Sequence, residues 1–148
     1  GNRTVPSLRY DAVAQLKVQM PHVPVIVNGG LRASEEVCAA LKSFDGVMIG
    51  REAYHRPQLL AELQAALHGE HAAPEAHVAQ VLEVMRGYAH GEVGQGTPLH
   101  AITRHMLGLL SGQPGARTLR QVLSQGVQSG GSVDEVFNQA IAIASVAA

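Results

Sequence analysis

The chain has 148 residues and a formal net charge of −1, with an isoelectric point near 6.8, which excludes a uniformly basic nucleic-acid binder but leaves room for a local basic patch. With no Trp, two Phe and three Tyr, it has no aromatic platform for stacking single-stranded bases. Its one cysteine, Cys38, excludes an internal disulfide framework and fits a reducing cytoplasm, and no apolar run reaches the ~20 residues of a membrane span.

The first element is a helix from Tyr10 to Met20, with Val13, Leu16 and Met20 at helical spacing and Pro21 as its stop. The run Val23-Pro24-Val25-Ile26-Val27-Asn28-Gly29-Gly30 follows. It is almost continuously apolar and reads as a strand buried on both faces, as in a parallel sheet covered by helices. Ser34 is the expected N-cap of a helix burying Val37, Ala40, Leu41 and Phe44. A second strand, Gly46-Val47-Met48-Ile49, ends in Gly50-Arg51, and a helix through Leu60, Leu63 and Leu67 comes next.

The pattern then changes. His68 to Glu75 carries Gly, His, Ala and Pro and marks a boundary, dividing the chain into domains at 1–70 and 71–148. Beyond it the spacing predicts four amphipathic helices joined by Gly-rich turns, a small antiparallel bundle. The first buries Val78, Val81, Leu82, Met85 and Ala89; the second Leu99, Ile102, Met106 and Leu109; the third Leu119, Val122, Leu123 and Val127. The fourth opens on a capping box, Ser132-x-x-Glu135, and buries Val133, Val136, Phe137, Ala140, Ile141 and Ala144.

The fold class is therefore α/β followed by all-α. The two β-α units look like the last two strands of a (β/α)₈ barrel, where loops after the final strands often build a phosphate site. Gly29 and Gly30 let backbone amides approach phosphate oxygens, and Arg51 adds a bidentate guanidinium beside a helix N-terminus. Either motif alone also reads as an ordinary tight turn with a solvated arginine. A barrel needs roughly 250 residues, and the segment Gly1 to Leu8 opens in a loop without a start methionine. The sequence thus reads as the end of a barrel followed by a helical domain, with an N-terminal barrel half expected elsewhere.

The polar side of the bundle is the second candidate region. His100, Arg104 and His105 lie near the exposed side of its second helix, and Arg117 and Arg120 share a face at i, i+3. Together they form a local anion-binding patch suited to RNA phosphates, or solvated charges balancing acidic residues elsewhere. No metal set emerges from the eight histidines: His68 and His71 have no third ligand nearby, and there is no His-Glu-x-x-His helix. Cys38, within an apolar helical stripe, reads as a packing residue. Asp11, Asp45 and Glu52 show no paired-carboxylate spacing.

Four blocks, Asn2-Arg3-Thr4-Val5-Pro6-Ser7-Leu8, Asn28-Gly29-Gly30, Asp45-Gly46-Val47-Met48-Ile49-Gly50-Arg51-Glu52-Ala53-Tyr54 and Thr103-Arg104-His105-Met106-Leu107-Gly108-Leu109, occur in that order. With Pro114-Gly115-Ala116-Arg117 they resemble the C-terminal part of bacterial tRNA-dihydrouridine synthases of the A type. That resemblance implies a flavoprotein with a TIM barrel and a C-terminal helical domain, reducing D-loop uridines of tRNA with NADPH through FMN. It implies that Asn28, Gly29, Gly30, Gly50 and Arg51 hold the FMN phosphate, and that Asn2, Arg3, Arg117 and Arg120 contact tRNA. The family's catalytic cysteine belongs to an earlier strand, and Cys38 matches no catalytic position. The segment alone is therefore expected to be inactive. The competing readings are another FMN- or sugar-phosphate-binding barrel and a non-catalytic RNA-binding module.

Overall fold

The computed structural model describes residues 8–69 and 74–147. Asn2 and Arg3, and the expected domain break near residue 70, lie outside these residues. Two compact units, Gly1–Glu52 and Ala53–Ala148, divide the chain within a short helix.

The first unit runs α1 (Tyr10–Gln19), β1 (Ile26–Asn28), α2 (Ser34–Ala40) and β2 (Gly46–Met48). Met20, the residue before Pro21, leaves helical space at φ −129° and ψ 63°, as the proline ring requires of its predecessor. β1 and β2 pair in parallel, with Ile26 opposite Gly46, Val27 opposite Val47 and Asn28 opposite Met48. Asp45, just ahead of β2, accepts hydrogen bonds from the Val25 N–H at 2.7 Å and from Lys17 Nζ at 2.6 Å. One carboxylate thereby ties α1 to the starts of both strands. The Lys17 ammonium, helped by the Val25 amide, holds that carboxyl below the usual range.

Two expectations for this unit are corrected. The strands are covered on one face only: Val25 and Val27 are buried, whereas Ile26 is 64% and Met48 48% exposed. Successive side chains of a strand point to opposite faces, and the second face of this two-stranded sheet is open. Ser34 is not the cap of α2 but its first residue, with Ala33 in extended geometry before it. The cap is supplied from inside the helix, where Glu36 accepts the Arg32 and Ala33 N–H groups at 2.7 and 3.2 Å. Val37 alone of the predicted stripe is fully buried; Ala40, Leu41 and Phe44 are half-buried. In α1 no residue is buried at all.

The helix α3 (Arg51–His55) spans the division between the units. The second unit continues with α4 (Gln58–His68), α5 (Pro74–Gly94), α6 (Leu99–Thr103), α7 (Ala116–Gln121), a π-helical turn at Val122–Gly126, and α8 (Val133–Ala147). Pro57 divides what the apolar spacing predicts as one helix into α3 and α4. Of the expected stripe of α4, Leu63 is buried, joined by Leu59, whereas Leu60 and Leu67 are both half exposed.

α5 and α8 form the most extensive helix pair of this unit. Its core holds Val78, Leu82, Ala89, Ile102, Met106, Leu119, Leu123, Val133, Val136, Phe137, Ala140 and Ala144, all predicted, and also Leu110, which was not. Val81, expected inside, faces solvent. The capping box forms as read: Ser132 N–H reaches Glu135 Oε2 at 2.8 Å and the Glu135 N–H reaches Ser132 Oγ at 3.3 Å.

The expected second helix through Leu109 ends at Thr103. From Arg104 to Gly115 the chain runs in tight turns, closed by bonds such as Met106 N–H to Thr103 O and Ser111 N–H to Gly108 O. Gly112 and Gly115 have φ of 83° and 80°, and Leu110, fully buried, has φ 60°. The turns still bury Met106, Leu109 and Leu110, so the apolar spacing is satisfied without a helix. The third helix is interrupted too. Ser124 Oγ donates to the Arg120 carbonyl at 2.7 Å, a side-chain bond that competes with the backbone ladder where the π turn occurs.

Candidate functional site

In the first unit the parallel register places the ends of both strands at one edge of the sheet. Asn28 lies opposite Met48, so Gly29-Gly30, directly after β1, and Gly50-Arg51, one residue beyond β2, leave the same end of the sheet. Gly29 and Gly30 have φ of 115° and 74°, a backbone conformation in which L side chains are strained. A Cβ on Gly30 would also lie 2.5 Å from Leu8 Cδ1 and 3.2 Å from the Tyr10 hydroxyl. Both positions therefore require glycine, and the Tyr10 hydroxyl fixes the turn by donating to the Gly29 carbonyl.

Arg51 is exposed and makes no ion pair with any described residue. α3 is only five residues long, so the positive charge at this edge is chiefly that of the guanidinium, not of a helix terminus. The combination of bare backbone at two left-handed glycines and an uncommitted arginine fits a phosphate group. Cys38 is half-buried in α2, on the crossover between the strands and not at their ends.

In the second unit the cationic residues separate into two places. Arg104, His105 and Arg120 line one pocket of about 420 Å³, together with Tyr54, His55 and Ser111. Arg117, which shares a helix with Arg120, is exposed but does not line this pocket, and neither does His100. The Tyr54 hydroxyl and His105 Nδ1 are 2.8 Å apart, and the Tyr54 ring meets both the His55 and His105 rings edge-on at 5.5 and 6.0 Å. Tyr54, His55 and Ser111 were missed as pocket residues, because neither charge spacing nor helical periodicity relates Tyr54 and His55 to residues fifty positions later. Asp45, read as a carboxylate without a partner for chemistry, has a structural role as the tie among α1, β1 and β2.

Comparisons with known proteins identify the family. A family model described as dihydrouridine synthase (Dus) matches residues 1–145. A tRNA-dihydrouridine(20/20a) synthase of Xanthomonas campestris pv. campestris is 46% identical over 139 residues, covering 94% of this chain and 41% of that protein. The enzyme of the same name from Pseudomonas syringae pv. tomato is 49% identical over 123 residues, covering 83% of this chain and 36% of its own length. That of Escherichia coli K12 is 42% identical over 140 residues, covering 95% of this chain and 40% of its own length. The chain spans about two fifths of the length of the curated relatives it matches. A match running through nearly the whole of the chain, both units included, shows that it belongs to the dihydrouridine synthase family.

Proposed function

We propose that this chain is the C-terminal portion of a flavin-dependent tRNA-dihydrouridine(20/20a) synthase, which reduces D-loop uridines of tRNA to 5,6-dihydrouridine with NADPH through FMN. In this reading residues 1–70 close a TIM barrel with its last two strands, and residues 71–148 form a helical tRNA-binding domain of four-helix-bundle type. The reading rests on family membership and on one structural observation: the register that brings Gly29-Gly30 and Gly50-Arg51 to a single sheet edge.

Asn28, Gly29, Gly30, Gly50 and Arg51 would hold the FMN phosphate. The N–H groups of the two left-handed glycines would donate to phosphate oxygens with no side chain of their own in the way, and Arg51 supplies a permanent charge. When bound, the flavin supplies the reducing equivalent for the uracil double bond. The proton that completes the reduction comes, by the resemblance, from a cysteine on an earlier strand, outside these 148 residues. Arg117 and Arg120, with Asn2 and Arg3, would position tRNA through its phosphates, contacts that set register without reading sequence. The setting is the cytoplasm, where tRNA and NADPH meet.

Arg51→Ala in the intact enzyme tests the cofactor half of the reading. The purified variant should lose most of its FMN, read from its visible absorbance, while its tRNA affinity is unchanged. A variant that retains full flavin would remove Arg51 from the phosphate site.

A further inference from the structure

A second concavity, of about 440 Å³, lies between α8 and the helix that runs on from α7, and no role described above uses it. Thr118, Gln121, Gln125 and Ser129 line it from one side and Gln139 of α8 from the other. The first four follow one another at spacings of three and four residues, which puts them on one helical face. The Ser129 N–H still bonds the Gln125 carbonyl at 2.9 Å, so that face continues to its end. None of the described residues lining the groove carries a charge, although Arg117 and Arg120 directly precede Thr118 and Gln121. A groove that leaves out its charged neighbours and gathers amides and hydroxyls suits a neutral ligand rich in donors and acceptors, and not a phosphate.

Two of the amides are held in a defined order. Gln121 Nε2 donates to Gln125 Oε1 at 2.9 Å. That bond leaves the Gln121 carbonyl to accept and the Gln125 amide nitrogen to donate. Exchanging oxygen and nitrogen in both amides reverses the bond and leaves the same two functions, so the linked pair offers one acceptor beside one donor in either assignment. Ser129 Oγ donates its proton to the Gly126 carbonyl at 3.0 Å and therefore turns only lone pairs outward. Thr118 and Gln139 add a hydroxyl and a third amide.

The backbone beneath these residues is irregular. The π turn Val122–Gly126 carries Val122, Gln125 and Gly126 of the lining, and Gln121 is its N-terminal cap. Such widened turns within helices recur at functional sites. Val122, half-buried, supplies an apolar surface against which a flat ring can lie. The volume is within the range of small-molecule sites.

The donor–acceptor order selects among neutral ligands. An acceptor beside a donor is completed by an amino group beside a ring nitrogen, and a glutamine amide pairs in this way with adenine N6 and N7. Arg117 stands one helical turn before Gln121, so a chain whose phosphates meet that arginine has its bases within reach of the groove. With no aromatic platform for stacking, hydrogen bonds to a base edge are the means of recognition this surface offers. We propose that the groove reads one unpaired adenine of an RNA, the Gln121 carbonyl accepting from its amino group and the Gln125 amide donating to its ring nitrogen. This rests on the proposed meeting with tRNA and adds base selectivity to it, through residues that touch no phosphate.

The test uses the full chain and labelled single-stranded oligoribonucleotides of one length, followed by fluorescence anisotropy at several salt concentrations. The ligands are oligo(A), oligo(U) and an oligomer with hypoxanthine, which bears an oxo group in place of the 6-amino group. The variants are Gln121→Leu, Gln125→Leu and Arg117→Ala, all at exposed positions, with an unchanged circular dichroism spectrum verifying that each is folded. The parent should bind oligo(A) about tenfold more tightly than the other two. Gln121→Leu and Gln125→Leu should each bring the three ligands to near parity while the salt slope stays constant, because no phosphate contact is lost. Arg117→Ala should do the reverse, weakening all three alike and lowering the slope while the preference for oligo(A) persists. Equal affinity of the parent for all three ligands, with tRNA still bound, would overturn the groove assignment and leave the tRNA reading standing. A preference for oligo(A) that survives both glutamine variants would place base selectivity elsewhere and also overturn it. Failure of the parent to bind any oligomer or a tRNA transcript would overturn the groove assignment together with the reading beneath it.

Discussion

Gly108→Ala is the sharpest mechanical test of how the second unit is held together. The added methyl would sit 2.5 Å from the His55 carbonyl oxygen, 2.9 Å from its carbon and 3.0 Å from the Tyr54 oxygen. All three are backbone atoms, so no side chain can swing aside. Reaching ordinary van der Waals separation requires the two segments to part by about 1 Å. Displacements of this kind in a packed region cost ~1–3 kcal/mol, and here they also separate the His105 ring from Tyr54. Gly87→Ala is the matched control, because it lies within α5 with nothing near its would-be Cβ. There the same methyl should stabilise by roughly 0.5–1 kcal/mol, since alanine outranks glycine in a helix interior. Urea unfolding followed by helical circular dichroism measures both, and the two variants should move the midpoint in opposite directions. Equal midpoints for Gly108→Ala and the parent would show that the turn does not press on the backbone of Tyr54 and His55.

Four further outcomes follow from particular contacts. Asp45→Asn should destabilise the first unit at neutral pH. The Lys17 ammonium and the Val25 amide depress the folded-state carboxyl, so its contribution is present above the unfolded value and is lost as pH falls through the folded one. The gap between variant and parent should therefore close in acid, as urea midpoints across pH would show. Ser132→Ala removes the hydroxyl that accepts the Glu135 N–H at the start of α8 and should cost about 1 kcal/mol by the same unfolding assay. Phe137→Ala empties a fully buried site in the core and should cost ~3–5 kcal/mol, enough to lower the thermal midpoint by several degrees. In the intact enzyme, Arg117→Ala should reduce tRNA affinity and its salt slope by somewhat less than one unit while flavin content stays constant; unchanged binding returns Arg117 to solvated surface.

The elements whose signal was local were legible. Pro21 ended α1 and Ser132-x-x-Glu135 opened α8 because each acts through its own backbone within a few residues. The two strand-to-glycine endings gave both the parallel pair and the edge at which their loops meet. What failed was inference from apolar spacing to a continuous helix. Met106, Leu109 and Leu110 are buried, as the spacing demands. They reach the core from turns, and burial constrains where a side chain ends, not the backbone path that carries it there. The same ambiguity put Leu59 beside Leu63 in the buried stripe of α4, in place of Leu60 and Leu67. On the strands, an apolar run specified what each face tolerates, but occupancy of the second face depends on which other elements lie against it.

The candidate sites divide along the same line. That the loops of Gly29-Gly30 and Gly50-Arg51 leave the same end of the sheet was readable because strand endings and their glycines are local signals. In the helical unit, i, i+3 spacing joined Arg117 to Arg120, yet the pocket joins Arg120 to Arg104 and to Tyr54. Spacing along one helix shows which charges share its face. It carries no information about which other segment that face meets, and here the meeting depends on the turn after Thr103. Had the helix continued through Leu109 as its pattern predicts, α6 would have been a straight rod with Arg104 on its flank. The early end of α6, the left-handed Leu110 and the close approach of Gly108 to His55 convert that rod into a concave wall. A break in helical regularity, read as a misprediction of structure, is thus the feature that gathers the charges into a pocket.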